Sequence, residues 1–469
     1  MTALTDNAPL STGEIQALDS AHFLHPFTDS RALAAQGARV ITRADGIYVW
    51  DSEGQKMLDA MSGLWCVNVG YGRKELADAA YAQMMTLPFY NSFFQTTNVP
   101  AVKLAARLAA LAPSVGERRF EHVFYSSSGS ESNDTNVRMV RRYWDLLGQP
   151  QRKVIIGRLN GYHGSTLAGA SLGGMSAMHA QGDLPIPGIT HIGQPYFFEN
   201  GWPGETAGEF GLRAAGWLEK KILAVGADRV AAFIAEPVQG AGGVIIAPDS
   251  YWPEIQRIVD KYGILLISDE VICAFGRVGH WFAYEKFGYK PDLVTFAKAV
   301  TSGYIPLGGV MVGNRVAQVL IEQGGEFTHG YTYSGHPVAC AVALANLDLM
   351  EREQLPQRVR GDMGAYLARR FTELEDHPLV GLAETCGFMA GLVLVRNKRT
   401  RERFPEEAAV GMVCRRHCFN NGLIMRAVGD RMIIAPPLVM SGAEIDEMIC
   451  LIRLALDLTH KELKEMRLL

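Results

Sequence analysis

The sequence predicts an α/β protein: a mostly parallel sheet covered by helices on both faces, with a smaller α+β domain attached. Two patterns lead there. From about residue 72 to 345, near-continuous apolar strands alternate with helical stretches, as a doubly covered parallel sheet requires. After about residue 345, helices precede strands instead, the order of an α+β unit. The length agrees, because 469 residues exceed one ordinary core and lead to an expectation of two or three domains.

Taken in chain order, residues 38–60, "ARVITRADGIYVWDSEGQKMLDA", alternate apolar and polar positions with Gly and Asp between them. That pattern predicts short antiparallel strands. They lack helical partners, so residues 1–71 are expected to join the smaller domain. The large domain, 72–345, is built on "HVFYSS", "KVIIGRLN", "VAAFIAEPV", "ILLISDE", "DLVTFAK" and "GGVMVG". The small domain, 346–469, begins within the helix of "ALANLDLMEREQL" and continues with that of "GDMGAYLARRFTEL". Strands "GFMAGLVLV" and "RMIIAPPLVM" follow, then a last helix from near Ser441.

Composition excludes several function classes. A formal net charge of −4 gives no reason to expect nucleic acid or an anionic membrane as partner. No apolar run reaches the roughly 18–20 residues of a membrane span, and the first 20 residues lack the apolar core of a signal peptide. The 7 cysteines are scattered, which suits a reducing cytoplasm rather than a disulfide framework. The "CRRHC" at 414–418 would place two cysteines on one helix face, but no second ligand pair follows, so no metal is expected.

Ligands of open α/β sheets sit beyond the carboxyl ends of the strands, so the residues standing there carry the argument. After "HVFYSS", Ser128, Gly129 and Ser130 open a long helix, whose free N–H groups and dipole suit an anion. After "KVIIGRLN" comes "GYHGST", where Tyr162 could stack on a flat ring. Glu236 and Asp269 each end an apolar strand, where a carboxylate needs a partner; for Glu236 that partner could be a structural arginine. Lys298 follows "DLVTFA", where desolvation lowers an amine's pKa and leaves a nucleophile and base. An anion cup, a ring stacker, an acid and a Schiff-base lysine are together the requirements of pyridoxal phosphate. The freed lysine would then shuttle a proton along the reacting atoms.

With these residues in order, the chain resembles the class III, fold-type I aminotransferases, and among them the (S)-selective ω-amine:pyruvate transaminases. The likeness also runs through "HPFTD" (25–29), "GLWCVNVGYGR" (63–73), "FAKAVTSGY", "YTYSGHP" (331–337) and "APPLVM" (435–440). It implies a seven-stranded large-domain sheet and pyridoxal 5′-phosphate as cofactor. It implies Lys298, Asp269 and Tyr162 as catalytic residues. Ser128, Gly129, Ser130, Tyr162, Glu236, Asp269, Val271, Lys298 and Thr332 would hold the cofactor, Thr332 coming from a neighbouring subunit. Phe27, Trp65, Phe93, Ala241, Tyr331 and Arg426 would form the substrate pocket, with Tyr331 again from the neighbour. Arg426, in "GLIMRAVGD", would pair with the carboxylate of pyruvate and swing away for an apolar amine. A homodimer with shared sites follows, with a tetramer left open.

One position departs from the wider class. Ornithine- and γ-aminobutyrate-type members carry glutamine three residues after the ring-nitrogen aspartate; Ile272 stands here. This argues against those two activities and leaves the ring hydroxyl without an assigned partner. The expected reaction transfers an amino group from a primary amine, diamine or ω-amino acid to pyruvate. Alternatives are an aminomutase, a decarboxylase, or an aminotransferase using 2-oxoglutarate. A cofactor-binding regulator is disfavoured by the presence of Lys298, and a Schiff-base aldolase barrel by the absence of eight βα units.

Overall fold

The computed structural model describes residues 10–469. Its strands among these residues form three sheets. The N-terminal strands β1 (Ile41–Asp45), β2 (Tyr48–Asp51) and β3 (Lys56–Asp59) form an antiparallel meander. The large sheet uses β4 (Phe120–Ser126), β5 (Val154–Arg158), β6 (Ile189–Ile192), β7 (Val230–Ala235), β8 (Leu265–Asp269), β9 (Leu293–Phe296) and β10 (Gly308–Gly313). The C-terminal part supplies β11 (Val380–Cys386), β12 (Met389–Leu394), β13 (Leu423–Ile424), β14 (Arg426–Val428) and β15 (Arg431–Ile434).

The large sheet has 7 strands in the order β4-β10-β9-β8-β7-β5-β6. Pairs β9–β8–β7–β5–β6 are parallel. Strand β10 is antiparallel to both β9 and β4, so β4 points the same way as the parallel set. Every residue of β7, β8 and β9 is buried, as strands covered on both faces must be. The carboxyl ends of β4, β5, β7, β8 and β9 therefore share one edge. Strand β10 brings its amino end, Gly308, to that same edge.

The two chain ends meet. Strand β13 pairs in parallel with β3, joining Leu423 to Leu58 and Ile424 to Asp59. The order of that sheet is β1-β2-β3-β13. A second C-terminal sheet runs β11-β12-β15-β14. The last helix, Gly442–Glu465, is capped by Ser441, with the reciprocal Ser441–Glu444 hydrogen bonds of a capping box. Among the described residues, no helix is long and apolar enough to cross a membrane.

Candidate active site

The shared edge holds a cavity of about 400 Å³. Ser128, Gly129, Ser130, Tyr162, Glu236, Asp269, Val271 and Lys298 all line it. Five strand ends bring these residues together, so the cavity is a product of the sheet topology.

The anion cup is the start of helix Gly129–Leu146. Ser128 caps it by accepting the Glu131 N–H at 3.2 Å, and the Glu131 carboxylate accepts the Ser127 N–H at 2.7 Å. The N–H groups of Gly129 and Ser130 have no intrahelical acceptor and stand at the positive end of the dipole. Close packing requires glycine here. A Cβ on Gly129 would lie 2.9 Å from Val271 Cγ2, and one on Gly308 would lie 2.7 Å from the Ser128 backbone.

Asp269, the last residue of β8, is 3% exposed. Its Oδ2 accepts hydrogen bonds from Asn133 Nδ2 and His163 Nδ1, both at 2.7 Å. Its Oδ1 accepts the Val271 N–H at 3.1 Å. Asn133 is itself oriented by Thr295, whose hydroxyl donates to Asn133 Oδ1 at 3.0 Å. Thus the carboxylate is held by dipoles and an imidazole, with its remaining capacity toward the cavity.

Lys298 lies two residues beyond β9. The backbone turns there through a left-handed conformation, φ 46°, into the 3₁₀ turn Lys298–Val300. Such a conformation costs a side-chain-bearing residue about 1–3 kcal/mol and is typical of functional sites. Burial pushes the Lys298 ammonium below its ordinary pKa, opposed by nearby Cys66, Asp269 and Glu236. The shift favours the neutral, nucleophilic amine over the ammonium.

The arginine partner that the sequence left possible for Glu236 is not found among the described residues; its carboxylate accepts the N–H of Tyr162 at 3.1 Å and of Gly240 at 2.9 Å. The buried Arg158 donates instead to the Glu236 carbonyl oxygen. Burial raises the Glu236 pKa.

A second cavity of about 740 Å³ shares Leu64, Tyr162, Ile272 and Lys298 with the first. Phe27, Trp65, Ala241 and Arg426 line it. Trp65 is also left-handed, φ 67°, and its buried indole N–H has no partner among the described residues. Arg426 is half-buried and has no acidic partner among the described residues. Burial lowers its pKa, countered by Tyr162. Phe93, Tyr331 and Thr332 line neither cavity of their own chain. Phe93 instead borders a separate cavity with His329, Gly330 and Ser334, and Tyr331 donates to the Glu131 carbonyl at 2.8 Å. Segments 92–97 and 329–335 instead pack on each other, Ser92 Oγ donating to the Ser334 carbonyl at 3.0 Å.

Four contributors escaped the sequence reading: Asn133, His163, Cys66 and Arg277. Arg277 is wholly buried and donates to the carbonyls of Phe388 and Pro436, to Ser62 Oγ and to Asn68 Oδ1. It thereby ties the loop carrying Trp65 to the C-terminal part. The expected absence of a metal centre concerned Cys414 and Cys418, which are buried on helix Val410–Asn420. Among the described residues no cluster of metal ligands occurs.

The donor set fits pyridoxal phosphate. The free N–H groups at the helix start, the Asp269 carboxylate and a lysine whose pKa burial lowers line one cavity and are the groups such a cofactor needs for its phosphate, ring nitrogen and aldehyde.

Comparison with known proteins agrees. The profile of aminotransferase class-III matches residues 32–456. The chain is 60% identical over 449 residues to a putrescine–pyruvate aminotransferase of Pseudomonas aeruginosa, covering 96% of this chain and 97% of that one. It is 41% identical to the mitochondrial γ-aminobutyrate transaminase 1 of Solanum lycopersicum, covering 95% and 86%. A thermostable (S)-enantioselective ω-transaminase from Thermomicrobium roseum superposes with a TM-score of 0.92 at 44% identity, covering 96% and 100%. The ω-transaminase from Pseudomonas jessenii in complex with PMP gives 0.92 at 39%, covering 95% and 98%. The chain belongs to the class-III aminotransferases, fold-type I enzymes whose cofactor is pyridoxal 5′-phosphate.

Proposed function

We propose that this aminotransferase moves an amino group from a primary amine, diamine or ω-amino acid to pyruvate. One observation carries the reading most. The cavity holding Lys298 and Asp269 opens past Tyr162, Leu64 and Ile272 into a larger, mainly apolar one that also contains Arg426. The 60% identity to a putrescine–pyruvate aminotransferase supports the same donor and acceptor classes.

Bound pyridoxal phosphate supplies an electron sink for the bond broken at the substrate carbon. The protein groups do the rest. Gly129 and Ser130 N–H groups would hold the phosphate, with the Ser128 and Ser130 side chains beside them. Asp269 would keep the ring nitrogen protonated, its carboxylate oriented by Asn133 and His163. Tyr162 and Val271 would flank the ring. Lys298 Nζ, whose pKa burial lowers, would take the proton from the donor carbon as a base and give it back as the conjugate acid. Arg426 offers a planar fork to the pyruvate carboxylate. It has no acidic partner among the described residues that would compete for it.

The reading includes a homodimer. The neighbourhood of Phe93, Tyr331 and Thr332 carries exposed Tyr90, Phe94 and Tyr333, an apolar surface suited to a second copy. Placed against that copy, Tyr331 and Thr332 would complete its site. We place the enzyme in the cytoplasm, where its seven unpaired cysteines stay reduced.

One residue favours a second reading. Arg415 also lines the outer cavity without an acidic partner among the described residues. A keto acid with two carboxylates, such as 2-oxoglutarate, could use both guanidiniums. The test is product analysis with 1,4-diaminobutane as donor and each acceptor supplied alone. Alanine from pyruvate supports the proposal; glutamate formed with no alanine replaces it with the second reading.

A further inference from the structure

We propose that Asp29 selects amine donors carrying a second ammonium group, α,ω-diamines above all. The inference rests on the amine-donor reading above and assigns its specificity to one residue.

The outer cavity is lined by one carboxylate, that of Asp29. Its Oδ1 accepts the N–H groups of Arg31 at 2.9 Å and Ala32 at 3.0 Å. These bonds orient the side chain, and no donor to Oδ2 occurs among the described residues. No cation pairs with Asp29 among the described residues. The segment bearing it has local contacts of its own. His25 Nε2 meets Asp19 Oδ1 at 2.8 Å, and Thr28 Oγ1 donates to the Pro26 carbonyl at 2.9 Å. Phe27 is left-handed, φ 49°, and sets its ring edge-on to Tyr162 at 6.4 Å. Asp29, exposed to solvent, thus stands among the residues lining the chamber that contains Lys298.

Charge decides what that oxygen is for. Arg415 and Arg426 line the same chamber. A donor whose reacting end reaches Lys298 lays its alkyl chain along Trp65 and Ile272. If its far end is a second ammonium, two guanidiniums repel it and only Asp29 attracts it. Asp29 is exposed, so this attraction acts partly through water and is modest. A keto-acid carboxylate is sorted the opposite way, toward Arg426. Donor and acceptor would then share one chamber by using fixed charges of opposite sign.

The test compares 1,4-diaminobutane with butylamine, which has the same carbon chain and no second ammonium. The ratio of their kcat/KM values is measured on wild-type holoenzyme and on Asp29→Asn. Asparagine keeps the helix-capping acceptor and removes the charge. The ratio is internal to each preparation, so a reduced folded fraction does not move it. The ratio is expected to fall about five-fold in the variant, the upper range for a solvent-accessible ion contact. The wild-type ratio is also expected to decline with added salt, and the variant's to stay flat. An unchanged ratio in Asp29→Asn overturns the assignment. If wild-type holoenzyme converts neither amine, the amine-donor reading fails, and this inference falls with it.

Discussion

Replacing Asp269 by Asn tests the ring-nitrogen assignment with a change of one atom. The wild-type Oδ2 receives two donors at 2.7 Å, from Asn133 and His163, and Oδ1 receives the Val271 N–H at 3.1 Å. An asparagine can present its oxygen to only one side. With oxygen in the Oδ2 position, both strong donors are kept and the new NH2 faces the Val271 N–H. That arrangement orphans one buried donor, at a cost of about 1–3 kcal/mol. The opposite rotamer sets the NH2 against two donors and costs about twice as much. The first arrangement should prevail, and the fold should survive. What is lost is the negative charge, which in a preorganised site is worth about 10²–10³ in rate. The assay is single-turnover bleaching of the visible cofactor band by 1-phenylethylamine, at saturating cofactor. The expected rate loss is about 10²–10³-fold, with melting lowered by only about 2–8 °C. A rate within about five-fold of wild type, a difference of only ~1 kcal/mol, would refute the role given to Asp269.

Three further outcomes follow from the geometry. Lys298→Met abolishes turnover yet stabilises the cofactor-free protein by about 0.5–2 kcal/mol, because it removes a buried amine. The Lys298 pKa is lowered in the folded state, so its charge opposes folding most at neutral pH and ceases to do so once pH rises past the unfolded-state value; the variant's advantage in denaturant melts should therefore shrink toward pH 11. Gly308→Ala pushes a Cβ to 2.7 Å from the Ser128 backbone, which should loosen the phosphate cup and weaken cofactor binding about ten-fold, a ~1.4 kcal/mol effect read by fluorescence titration. Arg277→Met removes four buried hydrogen bonds and should lower unfolding free energy by about 3–5 kcal/mol, measured as a fall in the urea midpoint.

Much of this architecture was legible because strand ends are short and informative. Asp269 and Lys298 stand out because an ionisable residue directly after "ILLIS" or "DLVTFA" contradicts the apolar pattern around it. Strand β6, only Ile189–Ile192, and strand β11, with its irregular burial, gave no comparable signal. Antiparallel β10 could not be told from a parallel strand, since both are apolar throughout. Asn133 and His163 were hidden differently. Asn133 sits in a polar run, "SESNDTN", that reads as a solvated helix start, yet Ser132, Asn133, Thr135 and Asn136 are all buried. Their signal was an all-polar face on a helix that must cover a sheet. His163 lay between glycines, where a turn explains it equally well. Arg277 had no local signal, because its acceptors lie 209 to 215 residues away on one side and 111 to 159 on the other. The Asp59 contacts that shape the Trp65 loop are local, but their meaning is not: Oδ2 accepts the Gly63 N–H at 2.5 Å and the Tyr71 hydroxyl at 2.6 Å.

The central claim is that Lys298 and the outer cavity together perform amine-to-pyruvate transfer. The most direct measurement is the visible absorbance of holoenzyme as 1-phenylethylamine is added and pyruvate follows, run beside Lys298→Ala. The account predicts a band that the amine bleaches and pyruvate restores in wild type, and no such cycle in the variant. A wild-type band that the amine leaves unchanged, or a full cycle in Lys298→Ala, would contradict it.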